Sequence, residues 1–403
     1  MNLTGIITEY NPFHQGHLHH LHSAKKDTNC DGVICIMSGN FMQRGTPALL
    51  DKWSRAEIAV KNGVDLVIEL PLIYSISSAE GFAHGACKIL NQTSVVNNLY
   101  FGSEDGKIEN LKRIAETLVY QPEDFKISLR NNLDKGLPFH SSRSHAIEDT
   151  LKDPNIKQIL ANSNNILGIE YIKSLIKLNS SIVPVTLQRT GSNYNDKETN
   201  TSFSSATSIR NLLKTSGNLK SLKDFLPEAT YKYLDDLNKN HYTFTFENSF
   251  FNFLKYKLLT EGEKINNISE VSEGIDNKIL KEIAKSKNLN EFILNIKSKR
   301  YTYSRISRIL ISFFIGLENY NLDKIENDYE DYIRPLAFND KGREILKEIK
   351  KQETIKIITK LPSKIDNKKL ELDILGTKAY SILNSSISPY EDYLKSPSYL
   401  NNK

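Results

Sequence analysis

Two histidines three residues apart, His14 and His17, flank Gly16 in the segment Thr8-Glu-Tyr-Asn-Pro-Phe-His-Gln-Gly-His17. Imidazoles can donate hydrogen bonds to phosphate oxygens as negative charge builds there. Gly16 lets the backbone approach a ligand closely. Asn11 and Pro12 force a loop, and the residues after Gly16 read as a helix start. A helix N-terminus offers free N–H groups and the positive end of a dipole, which suits a triphosphate. The run His17, His19, His20, His22 leaves a metal site or a plain His-rich helix start as other readings. On their own chemistry His19, His20 and His22 read as surface or packing residues.

These groups need elements to hold them. Residues 3–10 (LTGIITEY) read as a buried strand, and further strands are expected at 32–37, 65–71, 95–104 and 181–189. Helices are expected between them, from Trp53 to Asn62, from about Ser77 to Leu90 and from Asn164 to Leu178. Strands alternating with helices imply βαβ units and a parallel sheet. A polar loop, Thr190 to Phe203, then leads to a helix from about Ala206. The expected fold is α/β: a Rossmann-like parallel-sheet domain over 1–220, followed by a mostly helical region over 221–403. TIKIITKLP, after Gln352, reads as one more strand.

Open parallel sheets bind ligands beyond the carboxyl ends of their strands. Gly102 and Arg189 end two of the expected strands there. A side chain at Gly102 would block a base or ribose, or Gly102 is a plain turn glycine. Arg189 suits the phosphates or a carboxylate, or it is a solvated strand end. Ser205, Thr207 and Ser208 open the helix after the polar loop, and Arg210 follows within about a turn, so hydroxyls and a guanidinium could meet phosphates there. An ordinary Ser/Thr cap is the alternative. The loop Ser38–Gly45 has Gly39 and Gly45 for freedom, and Arg44 with Lys52 brings positive charge to the same edge. Arg55 reads as helix surface, and Glu69 receives no catalytic role.

Several segments in one order resemble one family. They are ITEYNPFHQGHLHHL, MSGNFMQRGTPALLDKWSRAEIAVKNGVDLVIELP, YFGSEDG, NNILGIEYI and SATSIR, with a weaker echo in KSKRYTYSRISRIL. The His-x-Gly-His motif is similar to that of the HIGH-type nucleotidyltransferases, and the whole set resembles the bacterial tRNA(Met) cytidine acetate ligases. The resemblance implies that acetate and ATP give acetyl-adenylate and pyrophosphate. The acetyl group then passes to N4 of the wobble cytidine of elongator tRNA(Met), without acetyl-coenzyme A. It also implies that Ile7, Thr8, Glu9, Tyr10, Asn11, Pro12, Phe13, His14, Gln15, Gly16, His17, Leu18, His19 and His20 line the ATP, with Gly102, Asn164, Arg189, Ser208 and Arg210. For Asn164, capping its own helix is an equal alternative. Catalysis would rest on His14, His17 and Arg210. Magnesium is expected to arrive with ATP, and the sequence shows no dedicated metal cage. No KMSKS loop is present, which argues against an aminoacyl-tRNA synthetase.

The net charge is only +5, yet nine Lys or Arg stand against Glu282 and Glu291 between Lys278 and Arg308. A local basic patch is the footprint of a polyanion partner. Lys297, Lys299, Arg300, Arg305 and Arg308 could hold RNA phosphates, and Tyr301 and Tyr303 could stack on bases. In a helix, Tyr301, Arg305 and Arg308 would share one face, with Ile306, Ile309, Leu310 and Phe313 turned to the core. A solvated helix face is the plainer alternative. Cys30, Cys35 and Cys87 fit neither a disulfide framework nor a zinc site. No apolar run is long enough to span a membrane, and the first residues do not read as a signal peptide, so a cytoplasmic enzyme is expected. A nucleotidyltransferase for a small metabolite is a competing reading, which the long, locally basic second half disfavours. A non-catalytic RNA-binding protein is another, which intact His14, Gly16, His17 and Arg210 disfavour.

Overall fold

Strand Gly32–Ser38 is buried at every residue, as a strand covered by helices on both faces must be. It is β2 of a seven-stranded sheet in a computed structural model that describes residues 1–189 and 205–401. The other strands are β1 (Leu3–Thr8), β3 (Leu66–Leu70), β4 (Asn98–Ser103), β5 (Val183–Gln188), β7 (Pro335–Phe338) and β9 (Ser398–Tyr399). Their order is β5-β4-β1-β2-β3-β7-β9. The first five are parallel; β7 pairs antiparallel with β3 and parallel with β9. The Rossmann-like α/β expectation therefore holds.

Alternation along β2 sends Ile34 and Ile36 to one core, with Leu66, Ile68 and the helix Ala79–Gln92. Val33, Cys35 and Met37 go to the other, with helices α1 (Gln15–Thr28) and α2 (Lys52–Lys61) and the helix Ala206–Ser216. The order turns at β1: the chain runs outward from β1 to β2 and β3, then returns to place β4 on β1's other side. Such a switch point opens a crevice beyond the strand ends. The segment that carries His14 and His17 leaves β1 there.

The chain after residue 221 is mostly helical, with helices such as Phe251–Glu261, Tyr303–Ile315 and Lys368–Leu383. It nevertheless returns to the sheet. Strands β7 and β9 extend the β3 edge, and the helix Asp340–Gln352 packs beside β2 and β3. The sheet itself thus crosses the boundary at residue 220. The expected strand after Gln352 shrinks to Lys356–Ile357 (β8), paired with Tyr332–Ile333 (β6) in a separate two-stranded sheet. Past it, Ile358 and Leu361 pack with Tyr332, Leu370 and Ile374 in a small separate core. The polar loop from Thr190 to Phe203 lies outside the described residues. Among the described residues no helix is long and apolar enough to cross a membrane.

Candidate phosphate site

Strand β1 ends at Thr8, and the chain then makes a buried loop from Tyr10 to His14 before α1. Distant groups fix that loop and its flanks. Glu9 accepts from the Gln43 amide at 2.7 Å. Asn11 Oδ1 accepts from the Leu49 amide at 2.8 Å. The Asn11 carbonyl accepts from Arg210 Nη1 at 2.8 Å. The Gln15 amide and side chain donate to the carbonyls of Phe225 and Leu226. Ile7 and Leu18 are half-buried at the two ends of the segment, and Pro12 and Phe13 are buried within it.

His14 is the N-cap of α1. Its Nδ1 accepts from the Gly16 amide at 3.1 Å, and His17 Nδ1 accepts from the His14 amide at 3.3 Å. Two histidines thereby make the reciprocal cap that Ser and Glu form elsewhere. The rings stack with centroids 3.7 Å apart. Because each Nδ1 is an acceptor, the proton of each neutral ring sits on Nε2. Burial, with the charges of Arg189 and Arg210, pushes His14 down to about 3. His17 is likewise pushed well down by burial, by His14 and by Arg189, while the Pro12 carbonyl opposes this. Both rings are therefore neutral donors at ordinary pH, at the N-terminus of a 14-residue helix. Such an arrangement is chemically able to receive oxyanions.

The structure divides the other candidates. His19 and His22 are exposed on α1, whereas His20 packs its ring against Tyr100. Burial holds His20 down to about 4. Gly102 and Arg189 do meet, since a Cβ at Gly102 would press the Arg189 side chain at 3.1 Å. The glycine makes room for the arginine at the end of β4. Asn164 does not cap its helix. Glu104 does so: its carboxylate accepts from the backbone amides of Asn164 and Asn165 and from Asn164 Nδ2 at 2.7 Å. Ser208 is buried, with its hydroxyl donating to the Ser205 carbonyl, and Ser205 caps the helix. Arg210 adds a contact to Glu247 at 3.2 Å. Sequence reading passed over Glu104, though it lies inside the quoted FGSEDG and directly past β4. Glu247 carries no local signal.

Two expectations about charge are corrected. Lys52 does not bring charge to the ligand edge. It is 1% exposed and lies 2.7 Å from Glu69 and 2.8 Å from Asp392, both of which also meet Arg334. Arg55 is not helix surface: it is buried, and its guanidinium donates to the carbonyls of Leu50, Glu9, Ser38 and Gly39. Both follow from partners that arrive from other segments.

The basic stretch is also sorted. Lys297, Lys299 and Arg300 are exposed. The helix starts only at Tyr303, so Tyr301 is not on its face. Tyr301 is buried, donates to the Ser272 carbonyl, and carries the Arg305 guanidinium 4.5 Å over its ring. Arg308 is not open to phosphate: it is buried and makes two bonds to Glu270, at 2.8 and 2.7 Å. Ile306, Ile309, Leu310 and Phe313 face the core as expected.

The description HIGH Nucleotidyl Transferase fits residues 1–393 as one family. A Clostridium novyi (strain NT) protein designated tRNA(Met) cytidine acetate ligase is 52% identical over 402 residues, covering 99% of this chain and all of that one. The chain belongs to the tRNA(Met) cytidine acetate ligase family. Its enzyme class follows from that membership. A second relative of the same designation, from Clostridium botulinum (strain Okra / Type B1), is 49% identical over 407 residues, covering 100% of this chain and 99% of its own. Among solved structures, Thermotoga maritima TmcAL bound with alpha-thio ATP is 34% identical with a TM-score of 0.89, both chains being covered completely. The apo form of that protein is 35% identical with a TM-score of 0.90, again over both whole chains.

Proposed function

We propose that this enzyme condenses acetate with ATP to acetyl-adenylate and pyrophosphate, and then acetylates N4 of the wobble cytidine of elongator tRNA(Met). The observation that carries the reading is the stacked, neutral His14–His17 pair at the start of α1, beside Arg189 and Arg210. A carboxylate oxygen of acetate attacks the α-phosphorus, and the bond to the bridging oxygen of the β-phosphate breaks. No protein nucleophile is needed, so catalysis is positioning and charge stabilisation. The Nε2–H groups and the free amides of α1 supply donors, and Arg210 and Arg189 supply charge. Residues 7–20 line the nucleotide, with Gly102 and Asn164 beyond the end of β4. In the second step the cytidine amine attacks the acetyl carbonyl and AMP leaves.

Among the described residues no group of three or more His, Cys, Asp or Glu side chains could hold an ion. Magnesium is expected to arrive with the triphosphate, and no step above runs through it. The designations of the relatives and the ATP analogue of the Thermotoga protein support the substrates. Residues 1–220 would carry adenylation. The exposed Lys297, Lys299 and Arg300, with Arg305, would carry tRNA in the second region.

The test is pyrophosphate release from ATP with and without acetate, in the wild type and in a His14→Ala/His17→Ala variant. Acetate-dependent release that falls by about two to three orders of magnitude in the variant supports the reading. Near-normal release in the variant would remove the two histidines from it.

A further inference from the structure

The loop after β2 touches both halves of the proposed reaction. At one end it holds the phosphate motif, through the Gln43 amide on Glu9 and the Leu49 amide on Asn11. At the other it is seated on the helix Tyr303–Ile315, where Ser307 Oγ donates to the Gly45 carbonyl at 2.8 Å, fully buried. Gly45 has φ +75°, a conformation that disfavours side chains. A Cβ there would also overlap the backbone of Ser307 and Arg308, lying 2.6 Å from the Ser307 carbonyl oxygen. No rotamer change relieves a clash with backbone. Hydrogen bonds from Gly45 to Met42 and from Met42 to Thr46 close the loop on itself. The same helix bears Arg305 two residues before Ser307. Only the step from Gln43 to Gly45 separates a residue of the phosphate segment from the helix beside the basic stretch.

We propose that Gly45 is a positioning residue for the transfer step. Seated on Ser307 and Arg308, it fixes the distance between RNA held at Lys297–Arg305 and the adenylate held at His14 and His17. It takes no part in any bond made or broken, and the proposal rests on the reaction proposed above. The geometry makes the joint selective. Adenylation uses groups on the near side of Gly45, whereas transfer needs both sides in register.

The experiment compares wild type, Gly45→Ala and Ser307→Ala as full chains. Three readouts are taken: acetate-dependent pyrophosphate release without tRNA, tRNA affinity, and the kcat of acetyl transfer to tRNA. Gly45→Ala should lower transfer kcat by about tenfold to a hundredfold, the scale of a small misplacement of reacting groups. Pyrophosphate release and tRNA affinity should stay within about threefold of wild type. Ser307→Ala, which removes one hydrogen bond and adds no clash, should show the same split at about fivefold. It decides the matter if the glycine variant does not fold. Unchanged transfer in Ser307→Ala, or equal loss of all three readouts in the folded variants, would overturn the proposal. A wild type that releases no pyrophosphate with acetate would instead overturn the reaction on which it rests.

Discussion

Arg210 bonds to the carbonyl of Asn11, 199 residues earlier in the chain, at 2.8 Å. The contact ties the start of the helix Ala206–Ser216 to the phosphate loop. The same guanidinium reaches Thr207 and Glu247 at 3.3 and 3.2 Å. Arg210→Ala should therefore lower adenylate formation by about two orders of magnitude, as loss of one preorganised donor does. Arg210→Lys should recover only part, because a single ammonium cannot serve the fork of contacts. Steady-state pyrophosphate release checks both. A lysine variant equal to wild type would mean that charge alone matters there.

Three histidines on one segment, His14 buried and His17 and His20 half-buried, make the ligand-free protein sensitive to acid. His14 and His20 are held down to about 3 and 4, and His17 well below its usual value, all chiefly by burial. An unfolded histidine titrates near 6.5. Below about that pH the unfolded chain binds protons that the folded chain refuses, so stability falls as pH falls. The contribution is complete above about pH 6.5 and is lost progressively toward about pH 3, where His14 titrates in the folded chain. Thermal midpoints across that range should drop for wild type and drop less for His14→Gln. Parallel curves would mean that His14 does not resist protonation.

Lys52 tests whether the second charge cluster is structural. It joins Glu69 and Asp392 with both acids buried, and without it Arg334 is the cation left to them among the described residues. Lys52→Met should cost about 3–5 kcal/mol, the scale of breaking a buried pair. Urea denaturation measures it. Wild-type stability with lost adenylation would return Lys52 to the ligand edge.

The basic stretch separates into surface and structure. Arg300 is 78% exposed, with Glu273 3.4 Å away, whereas Arg308 is locked to Glu270. Arg300→Glu with Arg305→Glu should weaken tRNA binding and lower the salt slope by roughly one unit per lost phosphate contact. Pyrophosphate release without tRNA should be unchanged. Arg308→Ala should instead destabilise the fold, since Glu270 loses its partner. Unchanged affinity and slope in the double variant would leave the stretch a solvated helix face.

Much of this was legible because it is local. The five parallel strands announce themselves by short apolar runs between helical patterns, and His14–His17 by position after the first. What was not legible depends on chain segments far apart. Arg55 lies in an amphipathic helix like any surface arginine, and only four carbonyls converging on it make it a buried clamp. Lys52 looks free until Glu69 and Asp392, 340 residues away in the case of the latter, close around it. The return of β7 to β3 had no periodic signal, because four residues, Pro335–Phe338, are too few to show one. Arg308 matched a phosphate-binding face by spacing alone, and spacing does not reveal Glu270.

The most direct measurement is transfer of labelled acetate to tRNA in a mixture of the purified protein, ATP and tRNA, with acetyl-coenzyme A absent. The account predicts label in tRNA(Met), recovered on digestion as N4-acetylcytidine, with one pyrophosphate released per acetyl group transferred. Label that appears only when acetyl-coenzyme A replaces acetate and ATP would contradict it.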